Sequence, residues 1–491
     1  MSAAAAAQPQ SLVLNSPVFG GVRSPKANGA VKMEIDEAGP AADDLMQPLG
    51  DADVARQPAK IPRATAEYDN SSSSRFVQTE VVDRTENYGN TYMVRLKTLA
   101  PQLRAAAADK WAGGVEEGLP LVEQLSAVKK DTDSVIVGTV YQEMRLKPDI
   151  LEEQAKERIV SVKKTISTYR SEDGEDEVVY LEDESGRLPM KEVSELGLKH
   201  VCTGTSVAVR CKLSKGSLHV VGFCTAGLAP QRPLPTLPAD KYVVLASDLQ
   251  LGREGLSPLP AQLFADYVCG LLGGSQEQQF AASIARVVLA GNTTPRPDAD
   301  ALATHAALDR SQQQQQSGSV RLLDRFAVQL CGSVDLDVMP GKTDAVNVLQ
   351  PQQAFHSCLV PQASELSSFH RVTNPYECTL DGVVLLGSDG QNLDERRKYT
   401  HPSADTSSLD ALEEMLTTCH MMSSAPDTIR AQPYRTPAPA LCAMSQALTR
   451  WVGCVAGAES YPFPDRDPFV LEATPYVAPC TARPRLRLRS G

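Results

Sequence analysis

The chain has 491 residues, enough for two or three domains of about 100 to 200 residues each, and it carries a net charge of −12. That acidity argues against broad electrostatic binding of nucleic acid by the chain alone. Its 11 cysteines include no C-x-x-C pair, no apolar run reaches the about 18 residues of a membrane span, and no charged start leads into an apolar signal core. A disulfide framework, a membrane protein and a secreted one are therefore disfavoured, and a soluble intracellular protein is expected.

Residues 1–78 are rich in Ala, Pro, Ser, Gly and Asp and hold few clustered large apolar side chains. Such a stretch buries too little surface to offset the entropy of ordering it, which predicts a disordered tail. Within it, Ser16-Pro17 and Ser24-Pro25 have the form of proline-directed phosphorylation sites, and residues 31–34 (VKME) the form of a SUMO acceptor. A helical segment follows over 79–118. Tyr88, Tyr92, Leu96, Leu99 and Leu103 fall on one helical face, and Pro101 is expected to open a second helix.

Residues 119–229 read as a small β domain. Residues 134–144 (SVIVGTVYQEM) and 177–181 (EVVYL) are β-branched and aromatic, and Val207, Val209, Cys211 and Leu213 alternate with more polar neighbours before a turn at Lys215-Gly216. Short strands of this kind fit an OB-fold barrel, which can bind single strands by stacking bases on aromatics in a basic groove. Only Tyr141, Tyr180 and Phe223 are candidates for such stacking, and no basic run accompanies them, so core packing is expected of these rings. The acidic loop 172–177 reads as a solvated insertion. Residues 229–239 (APQRPLPTLPA) hold four prolines and mark a linker, over about 230–240, between domains.

From residue 241 the pattern is α/β. Residues 241–252 (KYVVLASDLQLG) read as a strand buried on both faces, with Asp248 and Gln250 at its end, where such sheets place their chemistry. Ser257-Pro258 opens a helix with Leu259, Leu263, Tyr267 and Leu271 as its expected buried stripe, and Gly273-Gly274 stops it. Further apolar runs end at 286–294 (RVVLAGNTT), 337–344 (DVMPGKTD) and 383–392 (VVLLGSDGQN). The glutamine tract 312–316 is expected to be a surface loop, 369–387 antiparallel strands turning at Asp381-Gly382, and 409–416 a helix capped by Ser407 or Ser408.

The order of these four blocks resembles the calcineurin-like metallophosphoesterases, whose motifs run D-x-H, G-D-x-x-D, then G-N-H-D or G-N-H-E. Nearly every ligand is replaced. Asp248 matches the first acid, but Gln250 stands at the His, Asn292 at the bridging acid and Pro295 at the second acid, while Lys342 and Thr343 stand at the Asn and His and leave Asp344. A two-metal site with its charges about 4 Å apart needs several carboxylates and imidazoles, and a neutral amide or an ammonium supplies no compensating charge. These positions read as vestigial, with no catalytic residue, no cofactor and no metal site, although weak binding of one ion through Asp248 and Asp344 stays open. His356, His370, His401 and His420 are scattered and read as surface or core residues.

An inactivated phosphoesterase behind an OB barrel resembles the B-subunit family of the replicative DNA polymerases alpha, delta and epsilon. The likeness is carried by YVVLASDLQLG, VVLAGNTT, LDVMPGKTD, VTNPYECTLDGVVLLGSDGQN and SAPDT over about residues 86–430. It implies an α/β plus all-β fold, an OB barrel followed by an inactive phosphoesterase-like domain over 241–491. It also implies a nuclear, non-catalytic scaffold of replication. As partners it implies the polymerase's catalytic subunit, through that subunit's cysteine-rich C-terminal domain, and a third, clamp-tethering subunit, with DNA met only through the holoenzyme. The rival readings are an active metallophosphoesterase and a single-strand-binding OB module. The pattern breaks at 429–460, an insertion that matches nothing in the family and separates SAPDT from Y-P-F (461–463) and D-P-F (467–469). It breaks again at 478–491 (APCTARPRLRLRSG). Both read as a retained intron or a changed reading frame, leaving the sheet without its last strands.

Overall fold

The computed structural model describes residues 61–78, 89–111, 119–144, 146, 168–170, 177–193, 196–197, 201–295, 310–347, 349–399, 407–425 and 466–477. The modification motifs of the first 60 residues, most of the acidic loop, Tyr88, His401, the insertion 429–460 and the tail 478–491 lie outside the described residues.

Residues 61–78, expected to be disordered, are ordered instead. Tyr68–Asp69 (β1) pairs antiparallel with a later strand, residues Ser71–Phe76 make a 3-10 turn, and Phe76 is fully buried. Arg63 donates to the carbonyls of Val268, Ala281 and Ile284. A few anchors (Arg63, Tyr68, Phe76) hold a segment whose average composition is that of a tail, which composition alone does not reveal.

Gly89–Trp111 (α1) is one continuous helix with Pro101 inside it, not two helices. Pro101 is exposed, so the hydrogen bond its missing N–H costs falls on the solvent side. The buried stripe, at intervals of four, is Thr91, Arg95, Leu99, Leu103 and Ala107, with Leu96 partly buried beside it.

Five strands close the barrel: Asp133–Glu143 (β3), Val178–Asp183 (β4), Gly186–Lys191 (β5), Ser206–Ser214 (β6) and Ser217–Cys224 (β7), with Leu121–Val122 (β2) alongside β3. The order is β3-β4-β5-β7-β6, and β6 returns to pair with β3. Only the β5–β7 contact in this ring is parallel. Ile136, Val140, Leu181, Val207, Val209 and Leu218 fill the interior. Phe223 packs against this core, but Tyr141 and Tyr180 do not. They face outward with ring centroids 6.3 Å apart, and Arg187 lies over them at 4.2 and 5.4 Å. They sit at mirrored positions of a cross-strand pair on the outer face, where alternation sends every second side chain.

The α/β part holds a parallel sheet of Tyr242–Ala246 (β8), Ile284–Ala290 (β9), Asp335–Met339 (β10) and Phe369–Arg371 (β11), in the order β11-β10-β9-β8. One face packs on the helices Leu259–Val268 (α2) and Arg310–Cys331 (α4), with Ser275–Ala282 (α3) beside α2. The other face packs on a second sheet, where β1 joins the hairpin Tyr376–Leu380 (β12) and Val383–Gly387 (β13). The hairpin turns at Asp381 and Gly382, both with positive φ. Gln391–Lys398 (α5) and Ser408–Thr417 (α6) follow, and Ser407 caps α6 by accepting from the Asp410 amide.

Four expectations need correction here. First, β8 is an edge strand covered only in part on its two faces: Val244 and Ala246 pack on the helix side and Val243 toward the second sheet, while Tyr242 and Leu245 stay exposed. Second, α2 buries Ala265 and Val268, packs the half-buried Phe264 beside them and turns Leu259 and Leu263 to solvent. Third, residues 369–371 form the fourth parallel strand rather than part of an antiparallel set. Fourth, the glutamine tract lies within α4, whose packed C-terminal half carries its polar first turns as helix.

Candidate functional site: the strand ends of the parallel sheet

The loops after β8, β9 and β10 meet at the carboxyl edge of the sheet, where doubly wound folds carry ligands. The amides of Asp248, Gln250 and Leu251 donate to the carbonyls of Gly291, Asn292 and Thr293, so the first two loops are zipped together by backbone bonds. Asp248, Gln250 and Asn292 all take positive φ. Such backbone is costly for non-glycine residues and is held only where the surroundings fix it.

Asp344 lies at the centre and is buried. Its Oδ1 accepts from Thr293 Oγ1 at 2.7 Å, the Thr294 amide at 2.8 Å and Thr294 Oγ1 at 2.9 Å, and its Oδ2 accepts from the Gly341 amide at 2.8 Å. Burial raises its pKa, against the pull of those donors. Asn292 Oδ1 accepts from the Thr343 amide at 3.1 Å, and Thr343 Oγ1 donates to the Thr294 carbonyl at 2.6 Å. Thus Asn292, Thr343 and Asp344 form one hydrogen-bonded knot.

The space between the loops is closed by backbone. A Cβ on Gly341 would lie 2.4 Å from the Asn292 nitrogen, and one on Gly291 would lie 2.7 Å from the Asp389 Cβ and 3.1 Å from the Gly341 Cα. Only glycines permit so close an approach. Asp389, at the end of β13, is buried, accepts from the Lys342 amide at 2.9 Å and has its pKa raised by that burial. Sequence reasoning did not single it out, although it ends the fourth apolar run as Asp248 ends the first. Gln352 was also missed: its Nε2 donates to the Gly341 carbonyl at 3.0 Å.

Asp248 and Gln250 stand apart from this knot. Asp248 is exposed and accepts from Gln250 Nε2 at 2.6 Å, while Gln250 Oε1 accepts from Arg253 at 2.6 Å. Lys342 sends its Nζ away from the loops to Asp394, at 3.2 Å. Pro295 ends the described part of its loop. Among the described residues no three His, Cys, Asp or Glu side chains cluster as a metal-binding group. His420 is in the core, far along the chain from this site, and pairs with Asp467.

The same order of barrel and parallel sheet recurs in known proteins. Residues 87–223 match the family described as the DNA polymerase delta subunit OB-fold domain, and residues 243–484 match the B-subunit family of DNA polymerases alpha and epsilon. The chain is 34% identical over 411 residues to a DNA polymerase delta small subunit of Arabidopsis thaliana, covering 83% of each chain. It is 32% identical over 421 residues to the small subunit of Oryza sativa subsp. japonica, covering 85% of this chain and 87% of the relative. The DNA polymerase delta subunit 2 of Drosophila melanogaster is 31% identical over 377 residues, which is 76% of this chain and 83% of the relative. The chain belongs to the DNA polymerase delta small-subunit family. Within this family the two matched segments divide at 223–243, which brackets the proline-rich stretch.

Proposed function

We propose that the chain is a non-catalytic accessory subunit of DNA polymerase delta in the nucleus, acting in replication and repair synthesis as a scaffold. Its α/β domain derives from a metallophosphoesterase whose metal centre has become a structural knot. The observation that carries this reading is the use of Asp344: its carboxylate has both oxygens occupied by protein donors, with backbone packed across the loops where ions would need room. A carboxylate held this way gains nothing from a cation and would have to give up its donors to bind one.

On this reading the phosphoesterase-like domain holds the cysteine-rich C-terminal domain of the catalytic subunit, and the barrel side holds the third, clamp-tethering subunit. DNA is met through the holoenzyme. The outward Tyr141-Arg187-Tyr180 stack does not favour the single-strand-binding alternative, because Glu143 and Glu182 hold Tyr180 and Arg187 and make that face acidic.

Two measurements test the proposal. The purified chain should not hydrolyse bis-p-nitrophenyl phosphate with manganese present, and turnover that vanishes in Asp248→Ala would overturn the structural-knot reading. Affinity purification of the full chain should recover the catalytic and third subunits, and recovery of neither would overturn the scaffold reading.

A further inference from the structure

The proline-rich stretch between the barrel and the parallel sheet carries more than a connection requires. Proline fixes φ near about −65° and pushes the residue before it to extended backbone, so Pro230, Pro233, Pro235 and Pro238 leave only Gln231 and Thr236 of residues 229–238 unrestricted. No backbone hydrogen bond joins two residues of this stretch, which suits a polyproline helix. In that helix every third residue falls on one edge, which sets Leu234 and Leu237 side by side about 9 Å apart. Both face solvent, at 67% and 38% exposure.

The rest of the fold holds this stretch from one side. The Thr474 amide donates to the Pro230 carbonyl at 3.1 Å and the Thr474 hydroxyl to the Ala229 carbonyl at 2.6 Å, while the Tyr476 hydroxyl donates to the Arg232 carbonyl. Pro235 rests half-buried on the β12–β13 turn, where a Cβ at Gly382 would lie 3.3 Å from its Cγ. Arg232, Pro233, Leu234, Thr236, Leu237 and Pro238 are exposed. A segment pinned in this way has given up much of its chain entropy before any partner arrives, which lowers the cost of binding. Arg232 is the one cation of residues 225–240, and its guanidinium makes no hydrogen bond or ion pair with any described residue. Lys241, the next cation along the chain, is instead paired with Asp381 at 2.7 Å. A plain spacer explains the prolines, but neither two exposed leucines at a spacing of three nor an unpaired arginine ahead of them.

We infer that residues 232–238 (RPLPTLP) are a docking site for a polyproline-reading module of another protein, one with an aromatic-lined groove and a carboxylate on its rim. Leu234 and Leu237 supply the apolar edge that the groove takes, and Pro238 with the open part of Pro235 supplies flat rings beside it. Arg232 pairs with the carboxylate and so fixes the direction of binding. The stretch lies outside both segments that match the family, 87–223 and 243–484, and the inference goes beyond the scaffold reading without resting on it.

The test uses the full-length chain and, as probe, a purified SH3 domain that accepts Arg-led P-x-x-P ligands, with binding measured by calorimetry. Saturable binding is expected. It should weaken at least about tenfold in Leu234→Asp with Leu237→Asp and in Arg232→Glu, whereas Arg232→Lys should retain part of it. All of these change exposed side chains and should leave the melting temperature within about 2 °C. Binding to the polymerase's catalytic and third subunits should be unchanged. Wild-type chain that does not bind the probe, or variants that bind it as tightly, overturn the inference. A free peptide of residues 229–240 that binds the probe while the folded chain does not would show that the turn beneath Pro235 closes the edge, and also overturns it. Variants that lose a polymerase subunit would assign the stretch to that contact, with the same consequence. Wild-type chain that binds the probe but neither subunit leaves this site standing and defeats the scaffold reading alone.

Discussion

Arg95 and Asp467 are 372 residues apart and form a fully buried ion pair, with Nε 2.7 Å from Oδ2. The same guanidinium donates to the carbonyls of Gly204, Ser423 and Ala425, so one side chain of α1 ties the barrel to both ends of the α/β domain's last segment. Among the described residues the other ionisable side chain in contact with Asp467 is His420. Removing one partner of a buried pair leaves the other charge uncompensated, at about 3 to 5 kcal/mol. Arg95→Met should therefore lower the urea midpoint sharply, and Asp467→Asn should lower it less because the amide oxygen still accepts. Equal, small effects in chemical denaturation would show that the pair is not what locks the domains.

His420 adds a pH dependence whose sign follows from its two bonds. Its Nδ1 accepts from the Met422 amide at 3.1 Å and its Nε2 donates to Asp467 at 2.9 Å, so the folded state wants the neutral ring. Burial and the nearby Arg95 charge lower its pKa. Asp467 is also held below the ordinary carboxylate range, against its burial, by Arg95 and His420. Both depressed groups stabilise the fold above their unfolded pKa values, and that contribution is lost as pH falls. His420 begins to act below about 6.5 and Asp467 below about 4. Stability should decline on going from pH 7 to pH 5.5 with a His420 contribution of at most about 1.4 kcal/mol per pH unit. The matched series in His420→Gln should be flatter over that range, and an identical slope would remove His420 as the cause.

Asp344 and Asp248 should part company in mutagenesis, although both are likened by sequence to metal-ligand positions of a phosphoesterase and are read, in the proposed function, as vestiges of such a site. Asp344→Ala strands four donors in the interior and should cost about 3 kcal/mol or more, whereas Asp248→Ala changes an exposed side chain and should stay within about 0.5 kcal/mol. Gly341→Ala should be as damaging as Asp344→Ala, since its Cβ would strike the Asn292 backbone. Thermal melts of the three variants, with and without manganese, separate the roles. A melting temperature raised by manganese in the wild type and not in Asp344→Ala would restore a metal site.

The strands of the barrel and of the inner sheet were legible because β-branched runs such as 135–140 and 286–290 make the same local demand wherever they sit. Their position in the sheet was not. The run 242–246 is as apolar as 286–290, yet one is an edge and the other is buried throughout, a difference set by neighbours distant in sequence. In α2 two apolar stripes overlap, and periodicity cannot say whether Leu259 and Leu263 or Phe264 and Val268 face the core. The candidate site was readable as residue types at strand ends, whereas the donors that occupy Asp344 come from side chains and amides whose meeting depends on loop closure. Arg95 fell on a face read from its aromatic and leucine residues, and a charge there gave no signal of a partner near the other end of the chain.

The interruption at 429–460 should be removable. On one side of it, Met421 donates its amide to the Phe469 carbonyl at 3.0 Å, and on the other, Leu471 donates to the Cys419 carbonyl at 2.8 Å, so the two flanks are paired directly. Arg95 holds the Ala425 carbonyl and the Asp467 carboxylate with one guanidinium, while Phe469, Val470 and Leu471 are buried in the core that α1 and residues 419–425 share. Farther on, the Leu386 amide donates to the Val477 carbonyl, and Leu385 and Val477 form a parallel bridge beside β13. Joining residue 428 to residue 461 leaves eight residues, 426–428 and 461–465, between Ala425 and Arg466, a reach of roughly 26 Å at full extension for ends that meet on one side chain. The shortened chain should melt within about 2 °C of the full chain and bind the same polymerase subunits. A loss of several degrees would mean that 429–460 contributes packing of its own. Sequencing of transcripts across residues 425–491 gives the parallel answer at the level of the gene: a dominant message lacking the codons for the interruption is expected, and a dominant message that contains them and yields soluble protein would count the segment as a genuine part of the subunit.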